Sequence, residues 1–277
     1  MAFSVTVYVP EGIVMASDSR QAITIERRTS EGEKLPPLNA IASDFAYNTF
    51  LLKQPRIGIS VWGNLFMGGE RMESHLKRLE EEKLDTNDTV VEATDKLMSY
   101  FRERVAEANA PFRLDDSDGV DEVTNKLTSY FGERSAQADT TFHVAGFRKE
   151  AGVSTPHVYM CHAGRNERNR VNFEPQTGRV KYGCTWGGQS DVASTMLKPH
   201  QVLGPDNKPM PAPRIPIIYE SMNLQDAIDF AIYAVRTTID TIRFQARPKT
   251  VGGAIDVLLI TPEEARWIQR KELHGRE

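Results

Sequence analysis

The fold of this chain is decided by Phe3-Ser-Val-Thr-Val-Tyr-Val9, a turn at Pro10-Glu-Gly12, and Ile13-Val-Met-Ala16, which runs into Ser17-Asp-Ser-Arg20. The first segment alternates, with the valines on one face and Ser4, Thr6 and Tyr8 on the other. We therefore predict two paired strands, with both faces of the first strand covered. The second strand ends in a small residue, an acid, a second small residue and an arginine.

Composition predicts an ordinary globular protein. The chain has 277 residues, 40% hydrophobic and 26% charged, which suffices for a substantial buried core. A net charge of -4 gives no reason to expect nucleic acid or an anionic membrane as partner. Two cysteines, Cys161 and Cys184, favour a reducing compartment, and no signal peptide or membrane-spanning run is visible. We expect a cytoplasmic protein.

No sequence motif indicates a cofactor or a metal. The six histidines lack metal-ligand spacing, and Cys161-His162 point to opposite sides if they lie on a strand. The chain also lacks a phosphate-binding glycine loop, a Gly-x-Ser-x-Gly elbow and a His-Glu-x-x-His helix. We therefore predict no cofactor and no metal.

Further along the chain, the pattern alternates between strands and amphipathic helices. A second hairpin is predicted at Thr49–Leu52 and Ile57–Gly63, a helix at Met67–Leu84, and a long helix at Leu224–Phe244 capped by Asn223. Three further strands are predicted at Phe142–Phe147, Pro156–Cys161 and Val180–Cys184, and Thr185–Ser190 is expected to open the helix Asp191–Leu197. Residues 21–47 are predicted as a long loop or extended excursion, and residues 199–216, with six prolines, as an irregular exposed loop.

An internal repeat occupies the middle of the chain. Residues 84–113 align with 114–143 and are identical at sixteen of thirty positions. We interpret this as a tandem duplication of one helix and its lead-in, because two copies are too few for a solenoid. The second copy replaces Met98 with Thr128 and Arg102 with Gly132, and a mid-helix glycine costs about 1 kcal/mol. We expect the first copy to lie in the core, with the second either laid on the surface or serving as a contact arm.

Four motifs, in this order, resemble proteasome β-type subunits, which are N-terminal nucleophile hydrolases. They are the opening hairpin with its Asp-x-Arg, the strands Phe142–Phe147 and Pro156–Cys161, Thr185-Trp-Gly-Gly188, and Gly252-Gly-Ala-Ile-Asp-Val257. The resemblance implies an α+β fold, a four-layer αββα sandwich with two antiparallel sheets face to face. It implies one domain over residues 1–277, with inserted or extended segments at 21–47, 114–141 and 199–216. It also implies a homo-oligomer or ring, with proteasome-like relatives as possible partners.

The resemblance implies a site in which most catalytic positions are changed. The nucleophile position holds Ala2, whose side chain has no hydroxyl or thiol. Asp18 and Arg20 are retained, although an acid and an arginine at a strand end also commonly satisfy turn amides and carbonyls. The positions of the family's lysine and serine hold Asn48 and Gly187, and those of an Asp and a Ser hold Pro248 and Val251. Lys34 lies at the family's distance from Asp18 along the chain and is the fallback lysine.

Two hypotheses about function follow. The first is a non-catalytic, self-assembling scaffold. The second is an active peptidase or amidohydrolase that uses an unrecognised nucleophile or one exposed by processing, such as Ser4 or Thr6. Trimming to Ser4 would move the chain's amine two residues, about 6–7 Å along a strand, away from its place relative to Asp18. That displacement greatly exceeds the tolerance of about 0.5 Å in a preorganised site.

Overall fold

The computed structural model describes residues 2–28, 33–63, 65–67, 70–108, 140–197, 201–203, 208–211 and 216–272. Its mixture of helices and several sheets confirms the mixed α and β class. The chain forms two compact units: unit 1 comprises Met1–Ala46, Tyr182–Leu259 and Trp267–Glu277, and unit 2 comprises Tyr47–Lys181 and Ile260–Arg266.

The strands are β1 (Phe3–Val9), β2 (Gly12–Ser17), β3 (Gln21–Arg28), β4 (Lys34–Ser43), β5 (Thr49–Leu52), β6 (Ile57–Trp62), β7 (Phe66–Met67), β8 (Glu70–Arg71), β9 (Thr141–Glu150), β10 (Val153–His162), β11 (Glu167–Arg170), β12 (Phe173–Glu174), β13 (Arg179–Val180), β14 (Gly183–Gly188), β15 (Gln201–Leu203), β16 (Pro209–Pro211), β17 (Asp256–Ile260) and β18 (Ala265–Gln269). The α-helices are α1 (Met72–Glu82), α2 (Val90–Ala108), α3 (Asp191–Leu197) and α4 (Leu224–Phe244). A short 3-10 helix spans Tyr219–Ser221.

The first sheet has the strand order β14-β1-β2-β17-β18. Strand β1 pairs antiparallel with both β14 and β2. Helix α4 packs on β1 and β2, and its apolar stripe meets the odd-numbered residues of β1 in one core cluster. Asn223 precedes α4 and forms a capping box with Asp226. The Asn223 side chain accepts a hydrogen bond from the Asp226 amide, and the Asp226 carboxylate accepts one from the Asn223 amide. The even-numbered residues of β1 therefore lie on the face opposite α4.

The second sheet has the strand order β11-β10-β9-β6-β5. Its neighbouring strands pair antiparallel throughout. The core of this unit joins Phe142, Val144, Tyr159 and Cys161 of the sheet to buried side chains of α1 and α2. Gly146 of β9 leaves room for α2, because a Cβ atom there would lie 3.2 Å from Cβ of Val90.

Several sequence predictions are confirmed and others need correction. The opening hairpin, the β5–β6 hairpin, α3 and α4 lie where they were predicted. Of the two alternatives for residues 21–47, the structure shows extended chain rather than a loop over Gln21–Arg28 and Lys34–Ser43, which pair as β3 and β4. The β-branched residues near the start of β3 agree with this. Helix α1 begins at Met72 rather than Met67, because Phe66–Met67 and Glu70–Arg71 form the short β7–β8 pair. Thr185–Gly188 lie within β14, not in a helix lead-in, and β15 and β16 occupy part of the proline-rich stretch.

The first copy of the repeat supplies core residues. Six side chains of α2 are buried among those of the second sheet and α1: Val90, Ala93, Leu97, Met98, Tyr100 and Phe101. Residues 114–139 of the second copy lie outside the described residues, so the duplication of the helix stays a prediction. Among the described residues, no helix is both long and apolar enough to cross a membrane.

Candidate active site at the start of strand β1

Ala2 lies at the start of β1, at the position where the resemblance places a nucleophile. It is 2% exposed, and its carbonyl oxygen accepts a hydrogen bond from the Gln189 amide at 2.9 Å. Gly188 comes so close that a Cβ atom there would lie 1.8 Å from the Ala2 oxygen, and its φ is +82°. Only glycine fits this backbone contact. The methyl group of Ala2 offers no atom that could attack a substrate.

Ser4 and Thr6 are the nearest hydroxyls along β1, and both are completely buried. Ser4 lies between Gly187 of β14 and Ser17 of β2 in the ladder. Its Oγ atom makes no hydrogen bond within the described part of the chain. A serine nucleophile needs a base within hydrogen-bond reach, and the described residues place none beside Ser4 Oγ.

Asp18 binds three backbone amides with its buried carboxylate. Oδ1 accepts from Phe3 at 2.9 Å, and Oδ2 accepts from Gly252 at 2.8 Å and from Arg20 at 3.2 Å. Burial raises the pKa of Asp18 to about 7, although these three hydrogen bonds favour the ionised form. The carboxylate thus ties together the start of β1, the end of β2 and the segment that leads into β17.

Arg20 connects the end of β2 to Asp44 and to the segment before β17. Its Nε donates to Asp44 Oδ1 at 2.5 Å, and its Nη1 donates to the Lys249 carbonyl at 3.0 Å. The guanidinium lies against the backbone of Gly252, where a Cβ atom would be 2.5 Å from Arg20 Cζ. Arg20 therefore stabilises the turn before β17.

The remaining predicted site residues belong to three other parts of the chain. Gly187 is the ladder partner of Ser4, so it lies at the site but contributes no side chain. Lys34 is the exposed first residue of β4 and pairs in register with Arg28. Asn48 belongs to unit 2, where its carbonyl oxygen accepts a hydrogen bond from Val61.

A buried ion pair near Asp18 was missed by the sequence analysis. Nζ of Lys271 donates to Asp256 Oδ2, its backbone amide donates to Oδ1 at 2.8 Å, and both side chains are at most 1% exposed. Burial lowers the pKa of Lys271, whereas the carboxylates of Asp256 and Asp18 raise it. A charged residue inside the apolar strand 256–260 was the available signal, because buried charges are almost always paired. Its partner could not be found from sequence spacing.

The geometry of this site suits structural bonding more than covalent chemistry. Its acid is fully bonded to the backbone, its arginine is bonded to an acid and a carbonyl, and its lysine is bonded to Asp256. Within the described ranges, no group of three or more His, Cys, Asp or Glu side chains is arranged to hold a metal ion.

Comparison with known proteins gives the fold. No protein-family model and no curated protein matches the chain. Among solved structures, a mutant of Anbu from Hyphomicrobium sp. strain MC1 is similar, with TM-score 0.54 and 14% identity over 100% of this chain and 89% of that one. Anbu (ancestral beta-subunit) from Yersinia bercovieri is also similar, with TM-score 0.54 and 16% identity over 98% of this chain and 88% of that one.

These structures correct the sequence interpretation. The chain is similar to Anbu proteins, which are proteasome-like but distinct from the proteasome β-type subunits that the motifs indicated. The sequence identities of 14% and 16% are low, so the similarity shows a shared fold. It does not show that the chain is an N-terminal nucleophile hydrolase.

Proposed function

We propose that this protein is a non-catalytic, self-assembling scaffold built on the Anbu fold. The observation that carries the proposal is the bonding of Asp18. Its carboxylate receives three backbone amides, and the residue at the start of the adjoining strand is Ala2. An acid bonded in this way holds the backbone together, and a methyl group cannot attack a carbonyl.

The alternative, an active hydrolase that uses Ser4, is less well supported. Ser4 is 0% exposed in the ladder between β14 and β2, so a peptide could reach its hydroxyl only after β1 had left the sheet. Cleavage before Ser4 would also remove Phe3, whose amide and carbonyl both bond to Asp18. Such processing would disrupt the site that it was meant to create.

Self-assembly is supported by exposed apolar side chains on the β3–β4 hairpin. Ile23, Leu35, Leu38 and Ile41 are 40%, 40%, 47% and 52% exposed. A two-stranded sheet is at best marginally stable alone in water, and burial of these side chains between copies would stabilise it. The name ancestral beta-subunit, given to a similar structure, agrees with an assembled state. We propose a closed homo-oligomeric ring, because head-to-tail contacts must close or polymerise.

Two measurements test this proposal. The intact protein should not cleave fluorogenic peptides or react with hydroxyl-directed covalent probes, and Ala2→Thr alone should restore neither, since the supporting groups are absent. Peptide cleavage together with probe labelling at Ser4 or Thr6 would establish the hydrolase instead. Sedimentation should give a species much larger than the 31.1 kDa chain, and a stable monomer at micromolar concentration would reject self-assembly.

The four-layer αββα sandwich and a cytoplasmic location are part of this proposal. The two five-stranded sheets support the first, and the two free cysteines support the second. An experimental structure of the assembled protein would test the layer order.

A further inference from the structure

A chain of hydrogen-bonded side chains lies in unit 2, outside the candidate active site. Nε2 of His157 is 2.9 Å from Oε1 of Glu150, and its Nδ1 is 2.9 Å from Oη of Tyr159. Burial lowers the pKa of His157 to about 4, so the imidazole is neutral near pH 7. Because a carboxylate only accepts, Nε2 carries the proton and donates to Glu150, and Nδ1 accepts from the Tyr159 hydroxyl.

Two arginines interact with the Glu150 carboxylate, Arg148 as an ion pair and Arg170 through its charge. Arg170 donates from Nε to Asn172 Oδ1 at 3.3 Å and from Nη2 to the Pro156 carbonyl at 3.1 Å, and it stacks on Phe173. Its Nη1 makes no hydrogen bond among the described residues. Arg148 reaches Glu150 only at 3.9 Å, which is too long for a hydrogen bond.

These side chains lie on one face of the second sheet. On β9, Arg148 and Glu150 are an even number of residues from Val144 and so share its face. On β10, His157 shares the face of Tyr159, which is the ladder partner of Val144. Arg170 on β11 is the other ladder partner of Tyr159. Both arginines act electrostatically on His157, and the Arg148 charge adds to burial in lowering the pKa of Arg170. Arg148 is therefore an ion-pair partner of Glu150, and Arg170 acts on Glu150 through its charge.

Arg148 and Arg170 carry two positive charges, and the single carboxylate of Glu150 does not neutralise both. Arg168 is neutralised by Asp95, to which it donates a hydrogen bond. Glu92 on α2 also interacts with Arg148, but its carboxylate is bound to the Thr89 amide and hydroxyl. One carboxylate thus interacts with two arginines, of which Arg170 is half-buried. Paired guanidinium groups with an imidazole N–H are the donors that phosphate and carboxylate prefer.

We propose that the Glu150 carboxylate occupies an oxyanion-binding site formed by Arg148, Arg170 and Nε2 of His157, and that a phosphate or carboxylate group takes its place there. Glu150 is the last residue of β9, next to the turn at 151–152, and its side chain is 41% exposed. Its carboxylate can therefore rotate into solvent without moving the strands. The site is independent of the proposed scaffold function.

Replacement of Glu150 tests this assignment. Glu150→Ala should bind inorganic phosphate at least about tenfold more tightly than the unmodified protein, the equivalent of one charge-assisted hydrogen bond, as measured by calorimetry. Glu167→Ala is the matched control. It removes an exposed carboxylate on β11 that also lies 3.9 Å from an arginine, Arg165, in the preceding turn. This control should bind phosphate no better than the unmodified protein.

Second variants make the test decisive. Adding Arg170→Met or Arg148→Met to Glu150→Ala should abolish the gain, and Arg148→Met is the safer of the two because this side chain is 45% exposed. Acetate in place of phosphate distinguishes the two sources: a gain for acetate alone identifies a carboxylate site, and one for phosphate alone a phosphate site. Equal binding by Glu150→Ala and Glu167→Ala, or binding that survives both arginine substitutions, would overturn the proposal.

Discussion

The two units bury titratable side chains in opposite ways. In unit 1, the carboxylate of Asp18 is bonded to backbone amides of three chain segments. In unit 2, the imidazole of His157 is bonded to the side chains of Glu150 and Tyr159. A group held by amides fixes the path of the chain, whereas a group held by side chains has partners that can rotate away. We therefore expect the Asp18 region to matter for stability and the Glu150 region to tolerate exchange of its partner.

The largest effect is expected from Asp18→Ala. It leaves the two buried amides of Phe3 and Gly252 and the partly buried amide of Arg20 without an acceptor. Each unsatisfied buried group costs about 1–3 kcal/mol, so the free energy of unfolding should fall by about 2–6 kcal/mol. Chemical denaturation would measure the loss. Asp44→Ala is the control, because its side chain is 42% exposed and it should cost about 1 kcal/mol or less. Similar losses in both variants would mean that Asp18 does not hold the three segments together.

Gly188→Ala should have the next largest effect. Its Cβ atom would lie 1.8 Å from the Ala2 oxygen, so β1 or β14 must shift, at an expected cost of about 3 kcal/mol. Gly178→Ala is the matched control: it also has a positive φ, +69°, but meets nothing within 4 Å. The control should cost only about 1 kcal/mol for its backbone conformation. Equal thermal shifts in the two variants would contradict the close contact at Ala2.

Sequence patterns predicted helix α4 and most of the strands, but only some of the contacts between them. The strict alternation in β1 and the Asn223 cap of α4 were readable because they depend on neighbouring residues. The pairing of β3 with β4 was not readable, since Pro36-Pro37 and the polar composition indicated a long loop or an extended excursion without a pairing partner. In the structure these prolines lie in a strand that pairs with β3 alone, where a missing amide donor is tolerated.

In the candidate site, the sequence identified single residues but not their hydrogen-bond partners. Asp18 and Arg20 were identified from the end of the opening hairpin, and a structural use of both was anticipated beside a catalytic one. Their partners Gly252, Lys249 and Asp44 are distant in sequence, as is Lys271 from Asp256. Local periodicity carries no information on such contacts. Only the tertiary structure brings these partners together.

The pH dependence of unfolding separates the two units further. The folded pKa of Asp18, about 7, lies above its ordinary 3.8, so the unfolded chain releases this proton first and stability falls as pH rises between those values. The folded pKa values of His157 and His143, about 4 and about 3, lie below the ordinary 6.5. The unfolded chain binds those protons first, so stability falls as pH drops below 6.5.

Denaturation between pH 4 and 6.5 therefore tests whether Asp18 and the two histidines change stability with pH in opposite directions. In Asp18→Asn the histidine contribution is no longer opposed by Asp18, so stability should rise with pH more steeply than in the unmodified protein. The difference in slope should approach about 1.4 kcal/mol per pH unit, the equivalent of one proton. His157→Gln should change the slope in the other direction. Identical slopes in Asp18→Asn and the unmodified protein would show that this carboxyl is ionised in the folded state throughout the range.

The smallest effect is expected from Ser4→Ala, and it bears directly on the two functional hypotheses. Ser4 is completely buried, and its Oγ has no hydrogen-bond partner among the described residues, so its removal should change stability by less than about 0.5 kcal/mol or improve it. Thr238→Val is the control, because Thr238 Oγ1 donates to the Ala234 carbonyl at 2.8 Å and its loss should cost about 1 kcal/mol. If the protein is a scaffold, Ser4→Ala should also leave its sedimentation unchanged. Loss of a measurable peptidase activity in this variant, with folding intact, would identify Ser4 as the nucleophile.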